Sequence, residues 1–263
     1  MIPAVLTIAG SDPSGGAGIQ ADLKTFHRLG VYGQSAITLI TAQNTTGVTA
    51  VHLLPIELVL QQIDAVLSDI GAAAVKTGAL GSPEMIHKVA QRLGAEPMPL
   101  VVDPVLISKH GHALAGPDAV AALRDHLMPL ATVIMPNWFE AAALSGLPVR
   151  SADEAAIAAR WLLAHGARAV LMKGAGVTTD TGSQTSADDL LFTSTGTTVL
   201  PGLRIETRNL HGTGCTYAAA VTAHLAQGRP LVEAALHAKA FIAHAIVTAP
   251  GLGRGYGPVN HWA

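Results

Sequence analysis

Residues 5–18, with the sequence VLTIAGSDPSGGAG, decide the fold of this chain. The first five residues are apolar or β-forming and predict a strand, which a glycine-rich turn follows. Residues 19–29 then place Ile19, Leu23 and Phe26 on one face of a predicted helix. A strand, a glycine-rich turn and a helix in this order are typical of proteins in which helices cover a parallel sheet.

The same alternation of strands and helices continues to the end of the chain. The apolar runs predict strands at residues 5–9, 35–41, 72–75, 100–102, 132–135 and 169–172. The amphipathic and alanine-rich stretches predict helices at residues 19–29, 56–67, 83–93, 118–127, 138–144, 151–165, 216–227 and 231–248. Ser151 with Glu154 three residues later predicts a capping box at the start of one of these helices.

Apolar strands separated by helices predict an α/β fold with a mostly parallel central sheet and helices on both faces. Residues 178–198 are rich in Thr, Gly and Ser, and their alternation predicts a hairpin or a surface excursion. No linker rich in Pro, Gly or Ser divides the sequence, so we expect residues 1–263 to form a single domain.

Composition excludes several classes of protein. Lys and Arg number 16 against 18 Asp and Glu, and this net charge of −2 argues against a nucleic-acid partner. The first residues, MIPA, lack the positive charge of a secretory signal. No stretch offers the ~20 mainly apolar residues of a membrane span, so we expect a soluble chain with no membrane partner. A single cysteine cannot form an intrachain disulfide and fits a cytoplasmic location.

Polar residues follow several of the predicted strands. In open α/β sheets, ligands bind beyond the carboxyl ends of the strands. The residues at these ends are Asp12, Lys76, Asp103, Asn137 and Lys173. Strand ends are exposed in any protein, but their convergence in a chain with only 13% charged residues favours a functional rim. Pro104 holds the backbone of Asp103 extended, which predicts a fixed carboxylate.

The first glycine-rich segment, residues 10–18, is not a P-loop, because Gly15 is followed by Gly and Ala instead of Lys and Ser or Thr. Gly16, Gly18 and Ala21 match a dinucleotide fingerprint, but residues 38–44 lack the acidic residue that completes it. This absence disfavours a dinucleotide-binding oxidoreductase. A turn that merely requires glycines remains an alternative.

The second glycine-rich segment, Gly212, Thr213 and Gly214, leads into an alanine-rich helix. Glycines at a helix start leave backbone N–H groups free to face an anion, such as a phosphoryl group in transfer. Cys215 falls in the first turn, where a helix lowers the pKa of a thiol. A buried, inert cysteine is the alternative, and position alone favours neither.

Two further site types are disfavoured. The sequence has no G-x-S-x-G elbow, so an α/β-hydrolase is not expected. His110 and His112 form the closest histidine pair, but no Cys or carboxylate stands at ligand spacing beside them, so no histidine metal site is predicted.

Five motifs together resemble the hydroxymethylpyrimidine/phosphomethylpyrimidine kinases of thiamine biosynthesis, which belong to the ribokinase-like superfamily. They are IAGSDPSGGAGIQADLK at residues 8–24, TAQNT at 41–45, VDPV at 102–105, PNWFE at 136–140 and GTGC at 212–215. The resemblance spans nearly the whole chain. It implies a ribokinase-like three-layer fold, with ATP-dependent phosphorylation of 4-amino-5-hydroxymethyl-2-methylpyrimidine and then of its monophosphate.

The resemblance also implies roles for individual residues. Gln43 stands at the family's pyrimidine-binding Gln. The other residues implied on the substrate side are Asp12, Ala17, Gly18, Ala79 and Val105. On the nucleotide side they are Asp103, Asn137 and Lys173, with Glu140 tied to Mg²⁺. Gly212, Thr213 and Gly214 match the anion hole, and Cys215 stands where sugar kinases of the superfamily carry a catalytic Asp.

The chain departs from the family pattern at three places. Ala79 replaces a bulky pocket Met, Lys-Gly-Ala-Gly at residues 173–176 replaces Lys-Gly-Gly-His, and residues 177–185 lack the usual charges. A pyridoxal kinase of the same fold is the main alternative, although Gln43 can both donate to and accept from a pyrimidine edge. Homodimers are the commonest assembly, so a homodimer is expected.

Overall fold

The computed structural model describes residues 2–106, 116–174 and 186–263. Its strands are β1 (Ala4–Ser11), β2 (Tyr32–Asn44), β3 (Gly47–Leu53), β4 (Ala74–Thr77), β5 (Leu100–Val102), β6 (Val133–Ile134), β7 (Ala169–Met172), β8 (Asp189–Thr193) and β9 (Gly196–Leu200). Its helices are α1 (Gly18–Arg28), α2 (Ile56–Ser68), α3 (Pro83–Leu93), α4 (Pro117–Ala122), α5 (Trp138–Ser145), α6 (Ala152–Ala164), α7 (Thr213–Ala226) and α8 (Leu231–Val247).

The described strands form one sheet in the order β3-β2-β1-β4-β5-β6-β7-β8-β9. The pairs from β2 through β7 are parallel, while β3 at one edge and β8 and β9 at the other pair antiparallel. Neighbouring strand residues point into different cores. Val102 packs with the α2–α6 side, whereas Val101 packs with the side of α7 and α8. The predicted three-layer, mostly parallel fold is therefore confirmed.

The structure differs from the sequence predictions in several elements. β3 was not predicted, and the helix expected at residues 118–127 is α-helical only to Ala122 before a π turn at Leu123–Leu127. The capping box at Ser151 is only half formed. Ser151 Oγ accepts from the N–H of Glu154, but the Glu154 carboxylate accepts from the N–H of Arg150 instead of Ser151.

β8 and β9 confirm the predicted hairpin where residues 178–198 are described. Residues 175–185 and the histidine pair at 110 and 112 lie outside the described residues. Among the helices that are described, none combines the length and the apolar character needed to cross a bilayer.

Candidate active site

A cavity of about 610 Å³ opens at the carboxyl ends of the parallel strands. It is lined by all the residues to which the family resemblance assigned a role, but not by Lys76, which was also expected at this rim. The residues with an assigned role are Asp12, Ala17, Gly18, Gln43, Ala79, Asp103, Val105, Asn137, Glu140, Lys173, Gly212, Thr213, Gly214 and Cys215. The parallel arrangement explains this convergence, because it brings the carboxyl ends of β1, β4, β5 and β7 to one edge of the sheet.

The starts of three helices meet at this cavity. Gly18 begins α1, Asn137 caps α5 and Gly212 caps α7, and all three residues line the cavity. A helix N-terminus presents free backbone N–H groups and the positive end of the helix dipole. The cavity is therefore suited to an anionic ligand such as a polyphosphate.

The two glycine-rich segments touch each other at the cavity wall. Gly212 has a φ of +79°, and a Cβ there would overlap the carbonyl oxygen of Gly16. Gly18 has a φ of +59°, and its Cβ would overlap the carbonyl of Gly10. Close backbone approach, in addition to positive φ, thus requires glycine at both positions.

Lys173 bridges two buried carboxylates at the centre of the cavity. Its Nζ lies 2.7 Å from Asp103 Oδ1 and 3.7 Å from Glu140 Oε2. Burial by itself would lower the pKa of Lys173, but Asp103 and Glu140 outweigh it and raise that pKa. Lys173 therefore stays positively charged. A Cβ on Gly214 would lie 3.5 Å from both Lys173 Nζ and Asp103 Oδ2, so the first turn of α7 faces this ion cluster.

The Asn137–Glu140 pair is built into the start of α5 as a full capping box. Asn137 Oδ1 accepts from the N–H of Glu140 at 2.9 Å, and the N–H of Asn137 donates to Glu140 Oε2 at 2.8 Å. Burial raises the pKa of Glu140 to about 7, although Lys173 acts to lower it, and Asp103 adds to the rise. The carboxyl therefore titrates near neutral pH.

Asp12 holds the first glycine-rich loop together. Its two oxygens accept from the N–H and hydroxyl of Ser14 and from the N–H of Ala17, each at 2.9 Å, and one of them lies 2.7 Å from His211 Nε2. Burial acts to raise the pKa of Asp12, but the hydrogen bonds from His211 and Ser14 prevail and lower it. Both oxygens are thus engaged by the protein, which makes Asp12 a residue that shapes the substrate end of the cavity.

Sequence reasoning missed or misplaced three charged or polar groups. Lys76 was expected at the rim but is fully buried, with its Nζ 2.8 Å from the equally buried Asp22. Asp189 accepts from the N–H of Gly174 and from Lys239 Nζ, each at 2.6 Å, and so fixes the turn after Lys173. His211 was not predicted as a site residue, although its position directly before the second glycine-rich segment was an available signal.

The thiol pKa of Cys215 differs from the value expected from the sequence. The thiol is partly exposed at the cavity and accepts from the backbone N–H of Gly18. Burial nevertheless raises its pKa to about 11, and the positive charge of Lys76 only partly offsets this. The lowered pKa predicted from the helix N-terminus is wrong, because desolvation by the surrounding protein is the larger effect.

Alkylation tests this directly, because the chain has one cysteine. Iodoacetamide reacts with the thiolate, so the rate constant of the native protein should rise about tenfold per pH unit from 7 to 9.5 without a plateau. The same protein in denaturant should level off near the ordinary thiol pKa of about 8.5. A native rate that levels off below pH 9 would contradict the raised pKa.

The three-layer sheet and the buried Lys173 cluster beside the start of α7 define a kinase of the ribokinase-like fold. The chain belongs to the phosphomethylpyrimidine kinase family, whose model matches residues 12–260. It is 50% identical over 266 residues to the hydroxymethylpyrimidine/phosphomethylpyrimidine kinase of Rhizobium meliloti (strain 1021), covering 100% of this chain and 98% of that protein. The family resemblance is thus confirmed, and the dinucleotide-binding oxidoreductase is set aside.

Solved structures show the same fold. The pyridoxal kinase from Staphylococcus aureus in complex with AMP-PCP and pyridoxal superposes with a TM-score of 0.89 at 38% identity, covering 100% of this chain and 95% of that one. The phosphomethylpyrimidine kinase from Clostridium difficile 630 gives a TM-score of 0.80 at 42% identity, with coverages of 94% and 100%. The fold is therefore shared by a pyridoxal kinase and a phosphomethylpyrimidine kinase.

Proposed function

We propose that this chain transfers the γ-phosphoryl group of ATP to the hydroxymethyl group of 4-amino-5-hydroxymethyl-2-methylpyrimidine, and then phosphorylates the monophosphate to the diphosphate. One observation carries the proposal. Gln43 shares a single cavity with the Asp103–Lys173–Glu140 cluster and the start of α7. A group that can read a heteroaromatic edge thus lies in the same space as groups that can stabilise a phosphoryl group.

In this reaction the protein must mainly stabilise the negative charge on the transferred phosphoryl group. Phosphoryl transfer passes through a loose transition state with charge spread over the transferred oxygens. The ammonium group of Lys173 and the backbone N–H groups at the start of α7 are the donors that this site offers. Because both are fixed by burial and by close glycine packing, they need little reorganisation during the reaction.

The carboxylates present fit a Mg²⁺ ion bound together with ATP. Mg²⁺ prefers oxygen ligands and usually takes only one or two carboxylates beside waters and phosphates. Among the described residues there is no cluster of three or more Asp, Glu, His or Cys that would enclose an ion by itself. We therefore assign Mg²⁺ to Glu140, with Asp103 nearby, where the ion would neutralise phosphate charge.

Cys215 faces the acceptor as a neutral thiol in this proposal. A pKa of about 11 leaves a negligible thiolate fraction at neutral pH. The second acceptor is a phosphate monoester, which is already mostly ionised and needs no base. We propose that Cys215 helps to position the acceptor hydroxyl in the first step instead of removing its proton as a preformed thiolate.

An ATP-consumption assay on three acceptors tests the proposed function. We expect turnover of the pyrimidine alcohol and of its monophosphate, and slower turnover of pyridoxal. A pyridoxal kinase is the second candidate, because a structural neighbour with a TM-score of 0.89 is a pyridoxal kinase in complex with pyridoxal. A kcat/KM for pyridoxal above that for both pyrimidines would replace the first proposal with the second.

The pKa of Glu140 predicts a pH dependence. The ionised carboxylate is the form that binds a cation, and it is lost as pH falls through about 7. In the wild type, kcat/KM for ATP with the alcohol as acceptor should therefore rise with pH through about 7 and level off above it. Glu140→Gln should lower kcat by about 10²-fold or more and abolish this rise.

The matched control is Glu154→Gln, which alters an acidic residue at the same position of another helix, α6. It should keep both the rate and the pH profile. An acidic limb of unchanged shape in Glu140→Gln would show that another group causes it.

Ala79 lines the cavity at a position where the family resemblance implies a larger side chain, Met. The extra room should weaken contact with the bare pyrimidine, at about 0.8 kcal/mol per lost CH₂, while the monophosphate can still be held through its phosphate. We expect kcat/KM to favour the monophosphate, and Ala79→Met to improve the alcohol several-fold. A wild type that prefers the alcohol would contradict this prediction.

The homodimer, the cytoplasmic location and the single domain at 1–263 stay predictions. Sedimentation velocity of the purified chain tests the first of them, and limited proteolysis tests the third.

A further inference from the structure

His211 joins three parts of the cavity wall. Its ring is buried between the first glycine-rich loop and β2, with Nε2 at 2.7 Å from Asp12 Oδ2 and 3.3 Å from Gln43 Nε2. Its backbone N–H donates to the carbonyl of Gly257, and its carbonyl accepts from the N–H of Val259. The backbone of His211 is therefore fixed on both sides, directly before Gly212, which caps α7.

The contact with Asp12 settles which ring atom carries a proton. Asp12 accepts three hydrogen bonds from Ser14 and Ala17, as an ionised carboxylate does, and an ionised carboxylate can only accept. A separation of 2.7 Å between two acceptors would be repulsive. His211 Nε2 must therefore bear a hydrogen and donate it to Asp12, whether the ring is neutral or protonated.

This proton placement has a consequence for Gln43. The amide nitrogen of Gln43 also approaches His211 Nε2, while its oxygen lies 3.4 Å from the hydroxyl of Thr41. The N–H of His211 and the amide N–H of Gln43 are both donors and cannot bond to each other, so the His211 ring does not accept a hydrogen bond from Gln43. In the other tautomer, Nε2 would accept from Gln43 and remove a donor from the cavity.

We infer that His211 is a positioning residue for substrate recognition, because its hydrogen bond to Asp12 keeps the amide donors of Gln43 available to the pyrimidine ring. The inference rests on the proposed function, since it takes Gln43 to bind the pyrimidine. The inference also gives Asp12 a role beyond loop structure, because its carboxylate determines that His211 Nε2 carries the hydrogen. The ligand feature recognised is a ring nitrogen or another acceptor on the heteroaromatic edge.

Steady-state kinetics of Asp12→Asn test this role, since the side-chain shape is kept and the carboxylate that requires a hydrogen on His211 Nε2 is lost. The ring can then accept from Gln43, so we expect the KM for the pyrimidine alcohol to rise about tenfold, the value of one hydrogen bond to a ligand. The KM for ATP should change less than twofold. In a His211→Phe background no ring nitrogen remains to accept, so the same Asp12→Asn change should raise the pyrimidine KM less than twofold. The matched control background is His261→Phe, at another buried histidine that is not among the described cavity residues, in which Asp12→Asn should keep its tenfold effect.

Nitrogen NMR of wild-type protein with ¹⁵N-labelled histidine gives a readout that a purely structural role would not move. The His211 signals are those missing from His211→Phe, or from His211→Asn if the first variant does not fold. We expect a protonated Nε2. An unprotonated Nε2, an unchanged pyrimidine KM in Asp12→Asn, an equal rise in the KM for ATP, or a tenfold effect of Asp12→Asn that persists in the His211→Phe background would each overturn the inference. Failure of the wild type to phosphorylate the pyrimidine would instead overturn the proposed function.

Discussion

Gly212→Ala should lower kcat by about 10²–10³-fold, the loss seen when an oxyanion donor is removed from an active site. The added Cβ would overlap the carbonyl oxygen of Gly16, so either the loop or the start of α7 must move. Such a shift displaces the backbone N–H groups of residues 214 and 215 from the position proposed for the phosphoryl group. Both acceptors should be affected alike, because both reactions develop charge at the same place.

Gly228→Ala provides the matched control for this prediction. Gly228 follows the other end of α7 and has a φ of +81°, but nothing lies within 4 Å of its Cβ position. The substitution costs about 1–2 kcal/mol of backbone strain and makes no clash. It should lower the melting temperature slightly and leave kcat unchanged. Equal losses of kcat in the two variants would mean that backbone strain, and not the displaced donors, causes the effect.

Lys173→Met should produce a loss of kcat of similar size, about 10²–10³-fold, because under the proposed function the variant lacks the cation that stabilises the transferred group. It also leaves Asp103 and Glu140 without their shared partner. Removing one member of a buried ion pair costs about 3–5 kcal/mol of stability. Lys173 lowers the pKa of Glu140, so its removal should shift the acidic limb of the rate profile to higher pH.

The double variant Asp103→Asn with Lys173→Met separates stability from catalysis. Neutralising Asp103 removes one uncompensated buried charge, so the melting temperature should recover in part while kcat stays low. Chemical denaturation and initial-rate assays measure the two effects independently. A double variant that regains kcat together with stability would show that Lys173 acts on folding alone.

Regular elements were predicted well where one physical cause produced the sequence pattern. Leu100–Val102 and Ala169–Met172 are buried on both faces, and their uninterrupted apolar runs were recognised at both ends. In Pro83–Leu93, a serine cap, an N-terminal proline and an apolar stripe agree. β3 was missed because its residues beyond Val48 are exposed, so that pairing with β2 makes it a strand.

The candidate site was also predictable only in part. The residues that line the cavity were predictable, because motif spacing and the ends of parallel strands place them there. The pKa values of these residues were not predictable. Cys215 illustrates this, since its place in the first turn of α7 predicts a lowered thiol pKa, whereas burial raises that pKa to about 11. Desolvation depends on all the atoms around a group, and these come from distant parts of the chain.

The sequence by itself determined the layered parallel fold, the edge of the sheet at which the site lies and the family, because apolar periodicity and motif spacing are local properties. The tertiary structure decided which charges meet. Lys173 pairs with Asp103 across 70 positions, and His211 with Asp12 across 199. Lys76 is buried against Asp22 although it stands at a strand end like the others. Ion pairing, proton location and pKa depend on distance in space and on exclusion of water, and only the folded chain sets these.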